Sequence, residues 1–373
     1  MKPEIENRLE VVRKGRGIAA SDLARRVGAS RQTIYAIESG TYVPNTAMAL
    51  KLARELEVAV DALFSLEEAC ERPRLPVEAE VLSAAGAGKG QPVRICNVGR
   101  RWVSVPVSAL PCYMPEADGI IVRTGRPKSR ANVMVFAEQD APQKRIVLAG
   151  CDPTASLLSH MVEQVSGIEV IAAAASSKLA LTWLKEGKVH IAGSHLEDPK
   201  TGEFNLPFIR NEFPGEDFTV VTYAWWEEGL VIAPGNPKAV RRVEDLARKN
   251  VRFVNREPGS GSRALLDRLL HKAGVGHQKV QGYDRVALGH LAAAYRVLSR
   301  EADVCLATRS AAQTFGLDFV PLHSERYDLV MRRGTAELPA AKAFLDVLQR
   351  AALRRKLEGF AGYDTSETGS LIA

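Results

Sequence analysis

ASDLARRVGASRQTIYAIESG, residues 20–40, carries two amphipathic helical periods separated by a short break. Leu23, Ala24 and Val27 share one face of the first period, and Ile34 and Ile37 share one face of the second. Gly28 and Ala29 permit a tight turn between them. Ser30 is a natural N-cap, because its hydroxyl can accept from a free backbone N–H at the start of the next helix. Packing of the two apolar faces would hold the second helix at a fixed angle with Ser30, Arg31, Gln32, Thr33 and Tyr35 outward. Arginine can donate twice to guanine, and glutamine can donate and accept at adenine. Thr33 suits a base methyl or a phosphate. Between positions 8 and 31 there are seven Lys/Arg residues against Glu10 and Asp22, and Arg16 is a candidate phosphate contact. The first 68 residues balance at ten basic and ten acidic, so geometry more than charge carries the expectation of double-stranded DNA binding.

Outward from this segment, 373 residues are too many for one small domain and suggest two or three. A hydrophobic fraction of 46% with 25% charged residues excludes a wholly disordered chain. The net charge of +6 is too mild to establish nucleic-acid binding by itself. The five cysteines include no CxxC pair, so neither a structural zinc site nor a disulfide framework is expected. No run approaches the roughly 18–20 apolar residues of a membrane helix. MKPEIENRLE carries acids where a signal peptide wants a basic and then apolar stretch. Cytoplasmic location, free thiols and no membrane partner are the expectations.

Residues 73–92, rich in Pro, Gly, Ala and Glu, read as a linker or exposed turn region. PVRICNVG, RWVSVPV, DGIIVR and NVMVFAE, within 92–138, read as strands of a small β-rich module. From 145 strands and helices alternate, as in KRIVLAG followed by SLLSHMVEQV, which favours a parallel α/β architecture. The expected organisation is an all-α head over 1–68, linker and β-rich module over 69–144, a two-lobed α/β unit over 145–358 with its second lobe at about 233–320, and a flexible tail over 359–373.

Ligands commonly occupy the carboxyl ends of strands in such sheets. Candidates there are Asp152, Thr154 and Ser156 after the first strand, Ser176 and Ser177 at a helix start, and His195 after another strand. Ser260, Gly261, Ser262 and Arg263 form a second small-residue helix entry, which reads either as an anion-holding loop or as simple capping. It lacks the spacing of a phosphate-binding P-loop. Trp225 and Trp226 read as packing around a hinge or as ligand contacts.

Residues 7–66 resemble the helix-turn-helix domains of phage repressors and restriction controllers, in which an Arg of the first helix pairs with a Glu near the end of the recognition helix. Arg13 and Glu38 match those positions. AGCDPTASLL, HIAGSHLED, PGSGSRALLD and READVCLATRSAA resemble a type-2 periplasmic-binding-protein domain over about 145–335, in the branch fused to cytoplasmic regulators and similar to molybdate- and tungstate-binding proteins. The resemblance implies two lobes joined by crossover strands, TYAWWEEGLVIAPGNP and YDLVMRR, with an oxyanion in the cleft. Tyr283 would add a phenol to that site. The resulting expectation is a ligand-responsive homodimeric regulator that is not an enzyme and carries no cofactor or metal, with molybdate or tungstate as effector. A sensor of a small organic ligand or molybdenum-cofactor-related compound, an enzyme with a DNA-targeting domain and an architectural DNA binder are the alternatives.

Overall fold

A computed structural model describes residues 5–66, 76–84, 86–107, 116–125, 129–136 and 145–373. The chain divides into two units, Met1–Arg74 and Leu75–Ala373.

In the first unit, helices Leu9–Gly15, Ala20–Val27, Arg31–Glu38 and Thr46–Glu55 surround Leu9, Leu23, Val27, Ile34, Ile37, Leu52 and Leu56. Gly28 ends the second helix at φ +70°, a left-handed conformation that a side chain would strain. Ser30 Oγ accepts from the Thr33 N–H at 3.0 Å and so starts the third helix. Arg13 is clamped to Glu38 at 2.5 and 3.1 Å and also donates to the Ile18 carbonyl at 2.7 Å. Short strands Ile5–Asn7 and Phe64–Leu66 pair antiparallel across the ends of this unit.

The second unit begins with a closed five-stranded barrel of Val77–Val81, Arg101–Pro106, Pro92–Val98, Gly119–Thr124 and Arg130–Val135, in that spatial order. The stretch read as a linker, 73–92, therefore contributes a barrel strand; VEAEV alternates as a strand does, and Ala79 and Val81 enter the barrel core. Strand Pro92–Val98 serves two cores at once. Val93 and Ile95 fill the barrel, whereas Cys96 and Val98 pack against Val147, Ala149 and Ile171 of the next domain.

Beyond the barrel lies one mixed sheet. Its strands run in the order Val286–Ala287, Phe253–Arg256, Val304–Thr308, Phe218–Ile232, Asp318–Arg332, Ile191–Ser194, Arg145–Gly150 and Glu169–Ala174. Each lobe has parallel strands, such as Arg145–Gly150 beside Glu169–Ala174 and Phe253–Arg256 beside Val304–Thr308. Two 15-residue antiparallel strands, Phe218–Ile232 and Asp318–Arg332, run through both lobes, with register shifts at Thr222/Ala224 and Glu228/Gly229. Those shifts bend the crossover where the lobes meet.

The expected flexible tail is an ordered part of this sheet. Tyr363–Asp364 pairs with Trp225–Trp226, and the Ile372 N–H donates to the Val220 carbonyl at 2.7 Å. Thr365 and Thr368 are buried. The edge of the first crossover strand that faces away from Asp318–Arg332 needs a partner over its first half, and the tail supplies it. Cys96, Cys151 and Cys305 are free thiols; Cys70 and Cys112 lie outside the described residues. Among the described residues, no helix is long and apolar enough to cross a membrane.

Candidate functional site

On the third helix, Ser30, Arg31, Gln32 and Tyr35 are exposed and Thr33 is half-buried. Arg31 donates to the Tyr35 hydroxyl at 3.0 Å and lies 5.2 Å from its ring centroid. Arg16 bonds Glu57 at 2.9 Å and the Glu57 carbonyl at 3.2 Å, so its guanidinium is already engaged across the helical unit. Contact with phosphate would require exchange of that partner.

In the second unit, a cavity of about 750 Å³ opens between the lobes. Lobe one supplies Cys151, Asp152, Ser156 and Ser176; lobe two supplies Glu257, Gly289, His290 and Leu291; the crossover strands supply Tyr223, Tyr327 and Leu329. A third wall comes from the barrel rim, with Leu82, Ser83, Gln91, Val105 and Pro106. Sequence reasoning missed this wall, because nothing in the strand pattern of 77–107 says which barrel end meets a later domain.

Of the candidates, Asp152, Ser156 and Ser176 line the cavity. Thr154 sits behind them. Its hydroxyl bonds Asp152 Oδ1 at 2.5 Å and the Tyr223 hydroxyl at 2.8 Å. Asp152 Oδ2 accepts from the Tyr363 hydroxyl at 2.9 Å. Burial pushes the Asp152 carboxyl up to about 6, against those hydrogen bonds. Ser176 caps the helix Ser177–Lys185. Ser177 is buried and accepts from the His195 N–H at 3.2 Å.

The 260–263 entry does not line the cavity, contrary to expectation. Ser260 caps the helix Gly261–Lys272 and donates to the Glu257 carbonyl at 2.9 Å. Ser262 donates to Glu228 Oε1 at 3.0 Å. Arg263 lies 4.8 Å from the ring centroid of Tyr283, whose hydroxyl donates to Asp267 at 2.5 Å. These groups are occupied by partners in lobe two and on the first crossover strand, and the lobes touch beside them, where the Lys178 N–H donates to the Gly259 carbonyl at 3.1 Å.

Behind the cavity lies a buried polar cluster. His195 Nδ1 faces Glu325 Oε2 at 2.6 Å, and its Nε2 faces Cys151 Sγ at 3.4 Å. Glu228 Oε1 is 3.6 Å from His290 Nδ1 and 3.9 Å from His195 Nδ1. Arg256 forms a two-pronged pair with Glu257 at 2.9 and 3.1 Å. Burial pushes the Glu228 and Glu325 carboxyls up to about 8. Burial alone would depress His195, but Cys151 and Glu228 outweigh it and hold its proton affinity above the usual value. Burial drives His290 well below the usual value, and Arg256 and His195 add to that. Trp226, packed 4.7 Å from Tyr327 and 5.0 Å from His195 between ring centroids, is buried beside the cluster and does not line the cavity. Glycine makes the packing possible: a Cβ on Gly261 would stand 2.5 Å from His195 Nδ1, and one on Gly193 would stand 1.8 Å from the Tyr327 hydroxyl. Cys151, His290, Glu228 and Glu325 lie far apart in the chain, and no motif spacing joins them.

Two lobes, two crossover strands and an interlobe cavity define a binding-protein architecture. Residues 158–349 match the PBP superfamily domain, and residues 7–68 match a helix-turn-helix domain. The chain belongs to the PBP superfamily. It is similar to the uncharacterized protein YvgK of Bacillus subtilis, with 32% identity over 251 residues, 67% of this chain and 77% of that protein. A Clostridium pasteurianum protein from the ferredoxin 2Fe-2S gene 5' region is 34% identical over 109 residues, covering 29% of this chain and 96% of its own. The HTH-type transcriptional regulator MJ0272 of Methanocaldococcus jannaschii is 38% identical over 64 residues, covering 17% of this chain and 97% of its own.

Proposed function

We propose that the protein is a sequence-specific transcription regulator whose DNA affinity is set by a small ligand held between the lobes. The observation that carries this reading is a 750 Å³ interlobe cavity on the same chain as a recognition helix with Arg31 and Gln32 exposed. Ligand that contacts both lobes favours closure, and closure alters DNA affinity if the DNA-competent and DNA-incompetent states bind the ligand unequally. The barrel rim lines the cavity, and the barrel follows the helix-turn-helix unit in the chain, so it is the element through which ligand would act on the head. The protein works as a homodimer, since one short recognition helix reads few base pairs and a two-fold repeat doubles the site.

Two effector classes have support. A small oxyanion such as molybdate or tungstate would use the Ser156 and Ser176 hydroxyls and the N-terminus of the helix Ala155–Ser166, which has no side-chain cap. An organic effector is favoured by the volume and by Leu82, Val105, Leu148, Leu158, Leu291 and Leu329 in the wall. Calorimetry with molybdate, tungstate, sulfate and phosphate, beside a panel of small organic acids and alcohols, separates them. Operator binding measured with and without the ligand tests the regulator reading. The absence of both a ligand-dependent operator affinity and a ligand-dependent thermal shift would defeat it. Sedimentation of a monomer, both free and DNA-bound, would defeat the homodimer.

A further inference from the structure

We propose that Cys151, His195 and His290 form a three-ligand site for a divalent cation of the zinc class, closed by the meeting of the lobes and open on its fourth side to the cavity. The ligating atoms of these three residues all lie within 4.8 Å of one another. A tetrahedral ion with bonds of about 2.0 Å to nitrogen and 2.3 Å to sulfur holds those atoms roughly 3.5 Å apart. The Cys151 Sγ to His195 Nε2 separation of 3.4 Å already meets that figure.

The strongest observation is His290. It is 1% exposed, and neither ring nitrogen has a hydrogen-bond partner. Glu228 Oε2 beside it is also buried without a partner. Buried polar atoms of this kind are costly unless something satisfies them. His195 is already arranged as a metal-binding imidazole: Glu325 holds Nδ1 at 2.6 Å and thereby aims Nε2 at Cys151. Two acidic residues, Glu228 and Glu325, are buried beside the site, while Arg256, the guanidinium next to them, is paired with Glu257. The donor types select the ion, since a thiol with two imidazoles suits zinc-class cations and not magnesium or calcium.

Cys151 and His195 follow lobe-one strands, and His290 opens a lobe-two helix, so a bound ion ties the lobes together. Cys151 and His290 also line the cavity, which leaves the fourth position facing it. The Cys151–His195–Glu325 order is shared with nucleophile–base–orienter arrays, but that alternative gives His290 no role.

The test uses the full chain, stripped with chelator and kept reduced, with Co2+ as probe. The expected result is a thiolate-to-Co2+ charge-transfer band in the near ultraviolet with intense tetrahedral d–d bands, saturating at one equivalent and abolished by Zn2+. H290Q should weaken Co2+ binding at least tenfold, and E325Q about 10- to 100-fold as the loss of an orienting partner. C151S should remove the charge-transfer band. Should C151S fail to fold, wild-type protein provides the same test: Zn2+ should protect Cys151 from alkylation, read by peptide mass mapping. No thiolate band, unchanged affinity in H290Q, or alkylation of Cys151 indifferent to Zn2+ overturns the proposal. Alkylation that depends on His195 in metal-free protein, with no Co2+ band, would overturn it in favour of a nucleophile. The readouts need no DNA, so the regulator reading stands or falls separately.

Discussion

Lys178 of lobe one donates its backbone N–H to the carbonyl of Gly259 in lobe two at 3.1 Å, so the lobes are joined main chain to main chain. A side-chain lock stands nearby. Arg268 on the lobe-two helix reaches Glu197 at 2.5 Å, and His323 reaches the same carboxylate oxygen at 2.8 Å. The backbone contact cannot be removed by a side-chain substitution, but the lock can. Glu197→Gln should cost the closed form about 0.5–1 kcal/mol, the value of a partly exposed pair. A two- to fivefold loss of effector affinity and a larger radius of gyration in solution scattering are expected. Identical scattering and affinity would show that the pair does not hold the lobes.

The recognition helix gives a prediction of a different kind, because it concerns discrimination and not affinity alone. Arg31→Ala and Gln32→Ala should each reduce the preference for operator over random duplex by about 1–3 kcal/mol, the worth of a good two-pronged base contact. Arg16→Ala should shift all duplexes alike if Arg16 exchanges its Glu57 partner for a backbone phosphate, which carries no sequence information. Anisotropy titrations on both duplexes at fixed salt measure these effects. Unchanged discrimination in both Arg31 and Gln32 variants would remove this helix from the DNA interface.

Asp118 joins the barrel to lobe one, and its titration has a defined sign. Its carboxylate accepts from the Ile95 N–H at 2.8 Å, from Arg145 at 2.8 and 2.9 Å, and from Arg94 at 3.1 Å. Burial would raise its pKa, but the Ile95 hydrogen bond and the two guanidiniums together hold it below the usual carboxylate range. A folded value below the unfolded one means that the unfolded chain binds more protons in acid. The stabilisation is therefore complete above the ordinary aspartate value of about 4 and is lost as pH falls through the folded value. Asp118→Asn should cost about 3 kcal/mol near pH 7, the low end for breaking a buried pair, because Glu169 still pairs with both arginines. The gap between wild-type and variant denaturation midpoints should narrow below about pH 4. A gap constant with pH would assign the loss to packing.

Local signals were the legible ones. Ser30 as cap and Gly28 as turn follow from neighbours along two successive helices, where period 3.6 fixes who meets whom, whereas the Arg13–Glu38 pair is implied only by the resemblance to phage-repressor domains. The strand-then-helix alternation after 145 likewise points to the α/β lobes. The cavity was half legible: Asp152, Ser156 and Ser176 sit at strand ends, as the architecture requires. Ser260, Ser262 and Tyr283 misled because a small hydroxyl at a helix start reads the same whether it faces a ligand, caps its own helix or satisfies a buried carboxylate. Glu228 and Glu325, one on each crossover strand, carry no signal of their own in the sequence. Only the register of Phe218–Ile232 against Asp318–Arg332, with its two shifts, carries both to His195.

Residues 359–373 supply the last prediction. The first crossover strand pairs with Asp318–Arg332 along one edge, and over its first half the other edge is covered by the tail. Thr222 donates to the Ser370 carbonyl at 2.9 Å and Val220 to the Ala373 carbonyl at 2.8 Å, while Thr368 donates to the Tyr223 carbonyl at 2.6 Å. Deleting residues 359–373 would bare these backbone groups on a strand that is otherwise central and apolar, which is the circumstance that invites pairing with another chain. The truncated protein should unfold several degrees lower and self-associate with rising concentration. Tyr363→Phe isolates one contact, since it removes only the hydroxyl that donates to Asp152 at 2.9 Å. It should cost about 1–3 kcal/mol by leaving a carboxylate oxygen unmatched, or roughly 2–10 °C in midpoint for a unit of this size, without self-association. Calorimetry and sedimentation on the two variants separate edge protection from support of the cavity wall. A truncated chain as stable and as monodisperse as the full one would show that the tail rests on the sheet without completing it.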